Sequence, residues 1–224
     1  NPNPSPNPDP NPKQAGSLYC QLCGVDVLAL YMATLRAGAC AVPLSTLASA
    51  EQLAAMVQDS GARLLAVDAY SLPLIEPALD RLGDVRLIGF DMAPGSEWPG
   101  GNWTGFADWL ASAPATPAPV AIEALDLFNI IYSSGTTGVP KGIVHSHGGI
   151  VLEHVKSHGL AGDLKPGDRF MWFTTTGWTM WNSQLSGLLV GATLVIYDGN
   201  PAWPDPYPLW RLIEKTKLNV FGTS

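Results

Sequence analysis

The sequence predicts an α/β fold, with parallel or mixed sheets flanked by helices, and three observations predict it. Short apolar runs alternate with stretches of helical periodicity from Val25 to Phe90. A further apolar run, Leu127 to Tyr132 (L-F-N-I-I-Y), has the form of a buried strand and leads straight into a segment rich in glycine and hydroxyl residues. Finally, 224 residues that are 46% hydrophobic and only 14% charged suit one sizeable core, or part of a larger one.

Asn1 to Pro12 carries proline at every even position, so residues 1–16 are expected to form an extended or disordered tail ahead of a domain spanning 17–224. Cys20 and Cys23 form a C-x-x-C without a second ligand pair, which favours incidental or buried thiols over zinc. An odd total of three cysteines fits a reducing compartment. Val25 to Arg36 repeats its apolar residues at helical spacing, with Asp26 early and Arg36 late to match the helix dipole, and Gly38 ends it. Ala41 to Leu44 reads as a strand, Ala50 to Ser60 as a helix stopped by Gly61, and Arg63 to Val67 as a second strand. Leu74 to Leu82 is helical and Val85 to Phe90 is a strand. Strands alternating with helices imply a parallel sheet, whose ligands bind beyond the C-terminal strand ends. Ala93 to Pro119 turns Pro-, Gly- and Ala-rich and reads as a surface connection with one short amphipathic piece, Phe106 to Ala111.

The net charge of −7 argues against a protein that wraps nucleic acid. No apolar run approaches the ~18 to 20 residues of a membrane span, and no signal segment opens the chain, so a soluble cytoplasmic protein is expected.

Chemistry concentrates in Tyr132 to Gly142, Y-S-S-G-T-T-G-V-P-K-G. Gly135 and Gly138 let the backbone turn closely so that successive N–H groups can face one concavity. Ser133, Ser134, Thr136 and Thr137 add hydroxyl donors, and Lys141 adds a cation suited to phosphate. So many donors in register behind a strand suit the phosphates of a nucleotide. It is not a Walker A loop, because Lys141 is followed by Gly142 rather than Ser or Thr.

This run, continued by I-V-H-S-H-G-G through Gly149, resembles the phosphate-binding signature of the adenylate-forming superfamily: acyl-CoA synthetases, adenylation domains of peptide synthetases, and luciferases. The resemblance implies that Ser133, Ser134, Gly135, Thr136, Thr137, Gly138 and Lys141 hold the ATP phosphates, with His147 beside the nucleotide. Arg169 to Asn182 (R-F-M-W-F-T-T-T-G-W-T-M-W-N), Gly187 to Pro204, and F-G-T-S at the end resemble short-chain acyl-CoA synthetases, the acetoacetyl-CoA synthetases in particular. It implies that Thr176, Gly177, Trp178, Gly222 and Thr223 line the substrate site, with Trp178 limiting its depth so that a short acid such as acetoacetate is favoured. The implied reaction joins a small carboxylate to AMP with release of pyrophosphate, then to coenzyme A, with ATP and Mg²⁺ as co-substrates. In that family the ribose-binding aspartate, the Mg²⁺-supporting carboxylate and the C-terminal domain with its adenylation lysine follow later. The chain is therefore expected to be an incomplete, inactive adenylation domain without a catalytic residue of its own. Upstream, Leu30 to Asp68 resembles the broader acyl-CoA ligase pattern, so a fusion of two branches is a second possibility.

Beyond that block, His145 and His147 are expected on one face of a strand, and His154 and His158 on one face of a helix running from Gly149 to Gly159. Without an H-E-x-x-H order or a third ligand the latter pair reads as a solvated face, with no metal. Arg169 to Thr175 is a strand, Gly177 to Leu189 a helix, Thr193 to Tyr197 a strand, Pro206 to Lys215 a helix, and Leu218 to Phe221 a last strand. The alternatives to a ligase are a nucleotide-binding remnant without turnover and a small thiol or zinc protein built on Cys20 and Cys23.

Overall fold

A computed structural model describes residues 17–20, 25–90, 98–99, 102–114, 116, 119–133 and 140–223, with backbone only at 17–20 and 25. The tail 1–16, the thiols of the C-x-x-C, and Ser134 to Gly138 lie outside the described residues. The order begins β1 (Ser17–Cys20), α1 (Val25–Arg36), β2 (Ala41–Leu44), α2 (Ala50–Ser60), β3 (Leu64–Asp68) and a short α3 (Leu72–Ile75) with a 3₁₀ continuation to Arg81. It continues with β4 (Arg86–Phe90), β5 (Trp103–Gly105), α4 (Phe106–Ala111), β6 (Leu127–Ser133), β7 (Lys141–Ser146) and α5 (His147–Val155), which widens into a π-type turn, Lys156–Ala161. Then come β8 (Arg169–Phe173), α6 (Thr179–Ser186) with a 3₁₀ extension Gly187–Val190, β9 (Thr193–Leu194), α7 (Pro208–Thr216) and β10 (Val220–Thr223).

The early helices end where their residues dictate. Ser49 Oγ accepts from the Gln52 N–H at 3.3 Å while Gln52 Oε1 accepts from the Ser49 N–H at 3.0 Å, a reciprocal cap that starts α2. Gly61 closes that helix in the left-handed region at φ 63°, donating to Gln58 O.

Seven strands form one sheet in the order β5-β4-β3-β1-β2-β6-β7, and three form a second, β10-β8-β9. Every pairing is parallel except β6 with β7, which is antiparallel, so the larger sheet is mixed. Side chains of its central strands alternate between two buried faces. Val42, Leu44, Leu65, Val67 and Leu87 pack with α2 and α3, whereas Ala41, Ala66, Ile88 and Phe90 pack with α1 and with Trp181 and Leu185 of α6. Helix α6 thus belongs to both sheets: Gln184 at its far turn accepts from the Trp172 N–H of β8 and donates to Val195 O at 2.8 Å.

Several expectations are corrected. Strand β1 sits at the centre of the large sheet, between β3 and β2, where only a C-x-x-C had been noted. Within the supposed surface connection, β5 adds an edge strand. It is held there because the Trp98 ring stacks on Trp103 (centroids 4.4 Å apart) in the space left by Gly89, whose Cβ would fall 1.9 Å from the Trp98 ring. The phosphate-like segment joins β6 and β7, the two strands of an antiparallel hairpin. His145 and His147 do not share a strand: Ser146 accepts from the Gly149 N–H at 3.2 Å and caps α5, so His147 is that helix's first residue. Helix α6 starts at Thr179 with Trp178 as its N-cap, and β9 spans two residues. No described helix is long and apolar enough to cross a membrane. Strand β7 lies at the sheet edge with Ile143 and Val144 about half exposed.

Candidate functional site

The hairpin register pairs Ser133 directly with Lys141, so these two residues face each other across the mouth of the connection that carries the remaining hydroxyls. Lys141 is exposed and Ser133 partly buried. Just inside the mouth, the Tyr132 hydroxyl donates to Asp59 Oδ2 at 2.6 Å and lies 3.3 Å from Met56 O, which fastens the end of β6 to α2. Burial, and then the hydrogen bond to Asp59, raise the Tyr132 pKa, so the phenol stays protonated.

The second wall comes from the turn between β8 and α6. Gly177 is buried there, and its Cβ would stand 3.2 Å from Ser45 N and 3.3 Å from Leu44 C. No side chain fits between that turn and the end of β2 without moving backbone. Trp178 follows, 49% exposed, its N–H donating to Thr175 O at 3.3 Å. Between the two walls lies a cavity of about 180 Å³. Thr175, Gly177 and Trp178 bound it on one side, Ser45, Leu47, Ala48, Gln52 and Met56 on another, and Tyr132 and Pro140 at the hairpin. Sequence reasoning missed Ser45, Gln52, Met56 and Thr175; the turn residues after β2 carried no motif that would have marked them. The cavity reaches Tyr132 and Pro140, and it is smaller than the ~300–1,000 Å³ typical of drug-sized ligands.

A family model described as AMP-binding enzyme matches residues 22–224. The chain belongs to the AMP-binding enzyme family. Among curated relatives, a Gallus gallus acetoacetyl-CoA synthetase is 44% identical over 120 residues, 52% of this chain and 18% of that protein. A Rhizobium meliloti acetoacetyl-coenzyme A synthetase is 48% identical over 121 residues, 53% and 18% respectively. The solved acetoacetyl-CoA synthetase from Streptomyces lividans superposes with a TM-score of 0.81 at 32% identity, covering 94% of this chain and 34% of that one. An anthranilate CoA ligase solved in complex with anthranoyl-AMP gives a TM-score of 0.77 at 26% identity, covering 93% and 40%. The chain therefore spans about a fifth of the curated relatives' length and about a third of the solved synthetase.

The other expected site residues fall in different places. Gly222 and Thr223 pair with Trp172 and Phe173, at the same end of the small sheet from which the Trp178 turn departs. Gly222 is needed for that pairing, since a Cβ would fall 2.1 Å from the Trp172 ring. Neither lines the cavity, and Thr176 flanks it between Thr175 and Gly177. His147 begins α5, one residue past the end of β7 opposite Lys141, roughly 20 Å along an extended strand. Its ring stands edge-on to Phe128 at 5.2 Å, and burial lowers its pKa against the pull of Asp126.

His154 and His158 do share a face, with ring centroids 5.9 Å apart, but it is not the expected solvated face, since His158 is buried and His154 half-buried. Nε2 of His158 is engaged by Ser183 O at 2.9 Å and Ser186 Oγ at 3.1 Å. Among the described residues no group of three or more His, Cys, Asp or Glu is placed to hold a metal ion. Sequence reasoning also missed a buried polar cluster of Tyr31, Asn129, His145 and Asn182, which joins α1, β6, β7 and α6.

Proposed function

We propose that this chain supplies the ATP and carboxylate subsites of an acyl-CoA ligase for a short-chain acid, acetoacetate being the favoured substrate. The observation that carries it is a single small cavity bounded both by Pro140, at the end of the phosphate-like segment, and by Trp178. A carboxylate and a triphosphate held on those two sides would meet within it. The names of the relatives over the matched region support the choice of acid.

In the reaction, a carboxylate oxygen attacks the α-phosphorus of ATP. The new C(=O)–O–P bond forms as the bond to the bridging oxygen breaks, and pyrophosphate leaves. The thiol of coenzyme A then adds to the activated carbonyl and AMP departs. The protein's part in the first step is in-line positioning and relief of phosphate charge. Ser133, Ser134, Thr136 and Thr137 would donate hydroxyls, Gly135 and Gly138 would admit phosphate close to backbone N–H groups, and Lys141 would add its ammonium. This donor set suits an anion. It contains no carboxylate, so Mg²⁺ would be held chiefly by the nucleotide's own oxygens, lessening the repulsion that the incoming carboxylate meets. Thr175, Thr176, Gly177 and Trp178 would bound the acyl group, with Gly222 and Thr223 on the neighbouring strand. Dependence on ATP and coenzyme A accords with a cytoplasmic setting.

The test is calorimetric titration with a non-hydrolysable ATP analogue and Mg²⁺. The chain should bind it, and Lys141→Ala combined with Thr136→Ala should weaken binding at least about tenfold, as loss of charge-assisted hydrogen bonds requires. Equal affinity in the double variant would remove the hairpin from the account.

A further inference from the structure

We propose that Asn129 and Asn182 are positioning residues that hold the start of α6, with Trp178, in fixed register with the end of β6, where the phosphate-like segment begins. This rests on the reading of the β6–β7 hairpin as the ATP subsite. Asn182 Oδ1 accepts from Tyr31 Oη at 3.0 Å and from Asn129 Nδ2 at 2.7 Å. Asn129 Nδ2 also donates to Tyr31 Oη at 2.8 Å, and Asn129 Oδ1 faces His145 Nδ1 at 2.9 Å. Tyr31 and Asn129 are fully buried and Asn182 is 2% exposed, so water does not compete for these bonds.

Donor and acceptor counting makes the cluster directional. Asn129 Nδ2 donates to Asn182 and Tyr31, which leaves Oδ1, an acceptor, facing His145. His145 must therefore carry its hydrogen on Nδ1, and burial, which lowers the His145 pKa, keeps the ring neutral in that tautomer. Asn182 contributes its oxygen alone, since among the described residues its Nδ2 has no partner. Apolar side chains would fill this space without leaving an amide donor unsatisfied. What the amides add is a fixed mutual orientation of four elements.

Both ends of the cluster reach the site along stiff secondary structure. Asn182 lies one helical turn, about 5.4 Å, from Trp178. Asn129 lies four residues, about 13 Å, before Ser133 on β6. A displacement of the hairpin mouth on nucleotide binding is thus passed to the wall that bounds the acid.

The test uses ¹⁵N-labelled chain and the Mg²⁺ complex of a non-hydrolysable ATP analogue. Amide signals of Tyr132, Ser133 and Gly142 should shift on binding, and so should those of Thr179 to Asn182. In Asn182→Ala the hairpin shifts should persist while the α6 shifts are lost. Asn182→Asp should restore them, because a buried carboxyl favours its neutral form and still presents an acceptor oxygen. The His145 ring should show protonated Nδ1 in the unsubstituted chain. Should Asn182→Ala not fold, Tyr31→Phe, which deletes one hydroxyl at nearly constant volume, should reduce the α6 shifts and leave those of the hairpin. Silent α6 signals in the unsubstituted chain, or equal α6 shifts in these variants, would overturn the inference. If the hairpin itself does not respond, the ATP reading fails and this inference falls with it, an outcome distinct from a responding hairpin with a silent α6.

Discussion

The two faces of the large sheet are built on different principles. On the α2 face, Leu44, Leu53, Val57, Leu65, Val67 and Ile75 are all within 1% of complete burial, and the helix that covers them is delimited by its own cap and its own glycine. That face is held by volume. On the α1 and α6 face, Tyr31 packs edge-on to Trp181 at 6.5 Å but also shares the amide cluster with Asn129 and Asn182. No side-chain cap fixes the start of α6. Its place is set by hydrogen bonds to distant strands and by the close approach of Gly177 to Ser45. The α2 face is mainly apolar and meets the cavity through Gln52, Met56 and the Tyr132–Asp59 bond, whereas the face that carries the Trp178 turn is tied by long-range polar contacts.

Three experiments sharpen this contrast. The largest effect is expected from Leu53→Ala on the apolar face, where a fully buried side chain is deleted. Unfolding free energy from urea titration should fall by about 2–5 kcal/mol, with the His145 tautomer unchanged in the folded fraction. A smaller loss, about 1–3 kcal/mol, is expected for Gly177→Ala, because the added methyl meets the Ser45 backbone rather than a yielding side chain. It should also alter Trp178 fluorescence, which Leu53→Ala should leave as it is.

The gentlest perturbation is acid. Burial holds the pKa values of His145, His154 and His158 below the ordinary 6.5, and all three sit on β7, α5 and its π-type extension beside α6. The unfolded chain therefore binds more protons than the folded one as pH drops below about 6.5. Their contribution to stability is complete above that value and is lost as pH falls through the lower folded-state values. Urea midpoints should decline between pH 7 and pH 5.5, and His154→Gln should make that slope shallower. An equal slope in the variant would place the acid sensitivity elsewhere.

The same contrast explains what could be read in advance. The limits of α1 and α2 were legible because apolar spacing, Arg36, Ser49 and Gly61 all act within one or two turns. Ser133, Lys141, Gly177 and Trp178 stand out through dense local motifs; of these Gly177 and Trp178 line the cavity, together with Tyr132 and Pro140, the chain neighbours of Ser133 and Lys141. Strand β1 escaped notice because four residues beside a C-x-x-C give no periodicity, and β5 because its support comes from a tryptophan stack inside a Pro- and Gly-rich stretch. His147 was misplaced by extending the strand past Ser146, whose hydroxyl in fact starts a helix. Nothing local pairs Tyr31 with Asn129 or Asn182, and the turn after β2 reaches the cavity only because β2 lies beside β6.

The position of β7 at the border of the sheet gives Lys141 a second duty. That strand offers a row of outward main-chain groups next to Ile143 and Val144, and with His145 neutral its single formal charge is the lysine at its start. A lysine on such a border discourages copies of the chain from zipping together. Replacing Lys141 is therefore expected to raise self-association at high concentration as well as to cost the proposed anion affinity.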